Sequence, residues 1–136
     1  MSINNIIKAT LLTCVLCSSA NAAELVVVVS PQNSASSMTA EQVSDAFLGK
    51  SAALTPVDQA EGSGTRTEFY QKVVGKDSAQ VKAIWTRLVF TGKAIPPKEV
   101  GSSADVKKLV AGDPKAIGYI EKGAVDGSVK VVFTAP

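Results

Sequence analysis

Residues 54–74, LTPVDQAEGSGTRTEFYQKVV, change rhythm halfway. LTPVD, 54–58, reads as a short strand. Pro56 has no N–H to give a ladder, so it belongs at an edge or at a strand end. From about Thr65 to Val74 the apolar residues Phe69, Tyr70 and Val73 sit at helical spacing, and Gly75 stops the run. Between the two lies a Gly–Ser–Gly turn. A strand that passes through a glycine turn into a helix is the building step of an α/β fold.

The flanking sequence extends this pattern. LVVVV, 25–29, is a continuous β-branched run, as in a strand covered on both faces by helices. Thr39 opens a helix with Gln42 as its capping-box partner; Val43, Ala46 and Phe47 face inward, and Gly49 suits the position after its end. Ser78 reads as the cap of the next helix, on which Val81, Ile84, Trp85 and Leu88 form one stripe. Trp85 is therefore a core residue. TGKAIPPKEVGSS, 91–103, is an extended connection, since Pro96–Pro97 cannot lie inside a helix. Ser103 starts another helix, with Val106, Leu109 and Val110 inward. IGYI, 117–120, and VKVVFT, 129–134, read as strands. The expected fold is α/β: a single three-layer lobe, its mostly parallel sheet flanked by helices.

Composition narrows the function. The run ATLLTCVLC, 9–17, followed by SSANA, reads as a secretory signal cleaved after Ala22. Residues 1–22 are then the signal peptide, 23–136 a single domain, and the compartment periplasmic. Both cysteines, Cys14 and Cys17, fall in that signal, so the exported domain has neither disulfide nor thiol chemistry. The chain has no histidine, which removes the commonest general base and a major zinc ligand. Nothing in the residues points to a cofactor, a metal site or catalysis. Basic and acidic residues are interspersed, at 14 and 12, without the concentrated basic face that nucleic acid requires.

The glycine turn is the candidate site. Ligands of α/β sheets gather beyond the carboxyl ends of strands, and Asp58 and Gln59 end this one. A helix start presents free N–H groups and partial positive charge. Gly62 and Gly64 would let an anion approach, Ser63 and Thr65 would add hydroxyls, and Arg66 a charged fork. Glu61 could accept a hydrogen bond from a ligand that still carries a proton, which would favour phosphate over sulfate. Equally, Thr65 with Glu68 is a capping box and Gly–Ser–Gly is ordinary turn chemistry, so the stretch could simply start a helix. FLGKS, 47–51, lacks the earlier glycine of a phosphate loop.

VVVVSPQNSASSMTAEQVSDAFLGK, TPVDQAEGSGTRTEFYQKVVG, a tryptophan helix and DPKAIGYI, in that order, resemble the periplasmic phosphate-binding proteins of ABC transporters. The resemblance implies a lobe of type II periplasmic-binding-protein form. It also implies phosphate contacts at Ser63, Gly64 and Thr65, with Glu61 in the place of an aspartate that accepts the phosphate proton. Gln59 stands where the family usually has a basic residue. The family closes two lobes on its ligand, whereas this chain is similar to one. The function implied is a secreted solute-binding module for inorganic phosphate or a similar oxyanion, serving a membrane transporter or receptor in transport or sensing. Micromolar affinity needs about 8 kcal/mol, more than an open single-lobe site supplies, unless a second copy covers it as a homodimer. The alternative is a non-catalytic envelope interaction protein that kept the lobe and lost the ligand.

Overall fold

The computed structural model describes residues 24–136; the expected signal, its cleavage point and both cysteines lie outside these residues. Five strands form one sheet: β1 (Leu25–Val29), β2 (Thr55–Gln59), β3 (Lys98–Val100), β4 (Ala116–Glu121) and β5 (Lys130–Thr134), in the order β3-β2-β4-β1-β5. Four helices accompany them: α1 (Ala40–Phe47), α2 (Gly64–Phe69), α3 (Ser78–Phe90) and α4 (Ser103–Gly112). α2 continues as a π-helical turn over Tyr70–Val74, and Gly75 ends it at φ +75°, a left-handed conformation that glycine adopts freely.

The sheet is mixed but mostly parallel, as expected: β2, β3, β4 and β5 run one way, and β1 alone runs against them. β2 is parallel to β3 and β4, but β1 is antiparallel to both β4 and β5. β4 and β5 flank β1 and point the same way, so the short connection between them, with the 3-10 turn Lys122–Ala124 and the Asp126–Gly127 corner, carries the chain back past β1 without a long helix. β3 lies within the expected connection; at 3 residues it is too short to show a period.

β1 is buried on both faces, as its valine run requires. Leu25, Val27 and Val29 pack with Val43, Phe47, Phe69 and Tyr119 beneath α1 and α2, while Val26 and Val28 pack with Val106, Val110 and Ile120 beneath α4. The helices thus cover both faces and make three layers. Gly118 permits close packing of α4 on β4: a Cβ there would lie 2.4 Å from Val106 Cγ1. Pro56 sits in an interior strand but near its start, where β3 has not yet begun to pair.

Caps account for most helix boundaries. Thr39 and Gln42 form the expected capping box of α1. Two caps differ from the sequence reading. Asp77, not Ser78, caps α3 in a box with Gln80. Ser63, not Thr65, caps α2, so Thr65 is the helix's second residue. In each case the acceptor lies one or two residues earlier, and it leaves the following residue free to be helical. Trp85 is half-buried rather than fully enclosed; it packs against the core and its indole N–H donates to Phe47 O at 2.9 Å.

Candidate functional site

The end of β2 delivers Asp58 and Gln59 into the protein and then releases the chain to the surface. Ala60 N–H donates to Val100 O of β3 at 3.0 Å, and Ser63 N–H donates back to Ala60 O at 2.9 Å. These two bonds fix the turn that carries Glu61 and Gly62 outward, where both are exposed. Ser63 is extended (φ −74°, ψ 124°), and its Oγ accepts from Arg66 N–H at 3.3 Å. The same hydroxyl donates to Gln59 Oε1 at 2.8 Å. Gln59 is held in turn, donating through Nε2 to Tyr119 O at 3.2 Å and Ser103 Oγ at 3.3 Å.

Among the described residues, Gly64 and Thr65 N–H have no acceptor. They are the first two donors of α2. Side chains do not obstruct them: an added Cβ at Gly62 or Gly64 would meet nothing within 4 Å. Neither glycine has positive φ. Thr65 Oγ1 donates weakly to Glu121 Oε1 at 3.4 Å.

Arg66, expected as a fork for an anion, is turned inward and almost fully buried, at 6% exposure. Its Nη1 donates to Gln59 O and to Glu99 Oε1, both at 2.9 Å, and lies 4.0 Å from Asp58 Oδ2. The guanidinium stacks over the Tyr70 ring at 5.6 Å. Nε has no partner. Of the sequence candidates, then, Gly62, Gly64 and Thr65 gather at the open turn with Glu61. Gln59, Ser63 and Arg66 support that turn from inside.

Beneath it lies a buried cluster that sequence reasoning missed. Asp58 accepts from Tyr70 OH at 2.5 Å, from Tyr119 OH, and from Gln59 N–H at 2.8 Å. Burial pushes the Asp58 carboxyl above the ordinary value of 3.8, against the opposing pull of the two tyrosine hydroxyls and Arg66. Burial and the neighbouring Asp58 push both tyrosines well above the ordinary value of 10. The tyrosine rings also anchor aromatic packing: Tyr119 stacks on Phe69 with centroids 4.0 Å apart. The sequence signal was present but slight: an acid inside a strand, at a position facing the core when Val57 faces α4.

No family model and no curated protein matches the chain. Solved structures do. An ABC-type phosphate transport receptor from Vibrio cholerae matches at 23% identity and TM-score 0.64, over 80% of this chain and 45% of that one. A putative phosphate ABC transporter substrate-binding protein from Clostridium perfringens, solved with bound phosphate, matches at 25% identity and TM-score 0.66, over 80% and 44%. The PstS protein of Borrelia burgdorferi matches at 15% identity and TM-score 0.63, over 80% and 46%. The fold is that of a periplasmic-binding-protein lobe, of the form found in phosphate ABC transporter receptors. The chain spans less than half the length of these structures.

Proposed function

We propose that the chain is a non-catalytic, exported solute-binding module that takes inorganic phosphate, or a similar tetrahedral oxyanion, at the turn Glu61–Thr65. The carrying observation is the pair of unpartnered N–H groups of Gly64 and Thr65 beyond the carboxyl end of β2, in a turn whose glycines Gly62 and Gly64 have open space on their Cβ side. Two oxygens of a phosphate would accept from them, aided by the positive end of the helix. Thr65 Oγ1 would turn from Glu121 to a third oxygen. Glu61 would accept the proton that phosphate retains at neutral pH; sulfate has none and would meet a repelling carboxylate. With no second lobe over the turn, binding falls in the high-micromolar to millimolar range, unless a second copy covers the site. A membrane transporter or receptor of the phosphate uptake type is the partner this reading implies. The signal is removed after Ala22, so the exported protein begins at Ala23.

The test is thermal unfolding of the phosphate-stripped protein, titrated with phosphate and then sulfate at matched ionic strength. Ligand at 100 times its dissociation constant adds about 2.7 kcal/mol, a shift of several degrees. Phosphate shifts the midpoint saturably and sulfate does not. Gly64→Asp keeps the fold, because residue 64 has open space and no positive φ, and abolishes the shift by placing a carboxylate against the free N–H groups. No shift with wild type up to tens of millimolar phosphate (about ten or more times a millimolar constant) refutes the reading.

A second reading has its own support. Ser63 spends its proton on Gln59 and Arg66 spends its charge on Glu99, so two donors that an anion could use belong to the fold. On that account the lobe serves as an interaction domain without a small ligand.

A further inference from the structure

The exposed face of α3 and the turn after it stand apart from the rest of the surface. Among the described residues, the large hydrophobic side chains left exposed are Val89 at 47%, Phe90 at 90% and Ile95 at 88%. All three fall within residues 78–98. That stretch carries Lys82, Arg87, Lys93 and Lys98 and no acidic residue, while all 12 acidic residues of the chain lie elsewhere. Two independent features, apolar exposure and one-signed charge, therefore coincide in one segment.

Helical geometry puts them on one face. Val81, Ile84, Trp85 and Leu88 form the stripe turned to the protein, fully or partly buried. The opposite arc holds Arg87 and Phe90, three residues apart on adjoining rows; Val89 flanks the inward stripe, and Lys82 lines the cleft with Glu61, Arg66 and Glu99. The helix ends in a tight reversal, with Gly92 N–H donating to Val89 O and Lys93 N–H to Leu88 O. Gly92 has φ +68°. The reversal leads into Ile95 and the stiff Pro96–Pro97 pair, so Lys93 and Ile95 extend from the same end of the helix.

We propose that this tip is a docking surface for an anionic lipid bilayer. Phe90 and Ile95 are nearly as exposed as in an extended chain. A folded protein partner is recognised by shape complementarity around a packed apolar centre with a polar rim. A bilayer interface instead receives protruding apolar side chains, and basic residues beside them lie at headgroup level. Arg87 and Lys93 complement the negative charge of acidic headgroups, and each adds about a five-fold gain in affinity. No helix among the described residues is long and apolar enough to cross a membrane, so the contact is peripheral. It is reversible as well: three side chains and a pair of charges give less than a pair of acyl anchors. This proposal is independent of anion binding at the glycine turn.

Vesicle sedimentation tests it, using the exported chain from Ala23 at low ionic strength. One set of vesicles is an equal mixture of phosphatidylglycerol and phosphatidylcholine, the other phosphatidylcholine alone. The protein pellets with the first and not the second, and binding falls as salt shortens the Debye length from about 30 Å to about 8 Å. Phe90→Ser with Ile95→Ser weakens binding at least about ten-fold, and Arg87→Glu with Lys93→Glu at least about twenty-fold. Both double variants keep the wild-type unfolding midpoint, since the altered side chains are exposed. Failure to pellet with the acidic vesicles, or equal pelleting with both sets, overturns the proposal. So does self-association that the Phe90/Ile95 variant abolishes while vesicles bind nothing, which would assign the face to a second copy.

Discussion

Tyr119→Phe isolates what holds the buried end of β2 together. The substitution keeps the ring that stacks on Phe69 and removes one oxygen. That oxygen donates to Asp58 and accepts from Gln59 N–H at 3.1 Å. Gln59 N–H retains its bond to Asp58 Oδ1 at 2.8 Å and Tyr70 retains Oδ2, so the loss is one donor to a buried carboxylate. A hydrogen bond to a charged group is worth about 1.5–3 kcal/mol; with the other partners in place, the expected cost is about 2 kcal/mol at neutral pH. For a domain of this length that lowers the midpoint by about 8 °C.

The assay is a double-mutant cycle with Asp58→Asn, followed by urea denaturation. If the hydroxyl acts through the carboxylate, Tyr119→Phe costs at least about 1 kcal/mol less when Asp58→Asn is already present. The pH dependence has a definite sign. The folded carboxyl titrates above its ordinary 3.8, so in that window the native state holds a proton that the unfolded chain has lost. The contribution of Asp58 is therefore full below pH 3.8 and falls as pH rises through the folded value. Asp58→Asn removes this fall. Tyr119→Phe takes away a hydrogen bond that favours the ionised form, which moves the folded value further up and widens the window. A cost below about 0.5 kcal/mol, or a cost that Asp58→Asn leaves unchanged, would show that the short contacts at Asp58 carry no net stability.

Three further outcomes follow from the same geometry. The chain has two tyrosines, both on Asp58, so tyrosinate absorbance stays absent above pH 10 until the fold is lost, then appears in one step with the circular-dichroism change; titration near 10 with the fold intact would contradict this. Gly118→Ala drives a methyl group against Val106 and Val110 and costs about 1–3 kcal/mol in chemical denaturation, whereas Gly62→Ala, which meets nothing, stays within about 0.5. Ser63→Ala removes the α2 cap and strands Gln59 Oε1, costing about 1–2 kcal/mol, while Thr65→Ala costs about 0.5 or less; the reverse order would put the cap at Thr65 after all.

The parts of this lobe that could be read from sequence are those in which one residue's neighbours along the chain decide its state. LVVVV could only be a strand buried on both faces, and Val43, Ala46 and Phe47 could only be a helix stripe beginning after Thr39. The strand–turn–helix of residues 54–74 was legible for the same reason, and so was its position beyond the carboxyl end of a strand. What was not legible depends on residues far apart. The direction of β1 is set by its pairing with β4 and β5, at the far end of the chain, and a valine run reads the same in either sense. Arg66 is the sharper case. Its spacing from the glycines fits an anion fork, and nothing local says otherwise. Glu99, 33 residues away on β3, and the carbonyl of Gln59 draw it inward. Once there, it can offset the charge that Asp58 buries, and its own burial needs that acid. The residue placed to hold a ligand is thus what allows an aspartate to sit under the loop. On the proposed reading Arg66 therefore gives an anion at this turn no direct charge, and backbone N–H groups and the Glu61 carboxylate, accepting its proton, would hold it. Such a site gains little from charge and much from the proton, so of its possible properties selectivity for phosphate over sulfate should survive better than affinity.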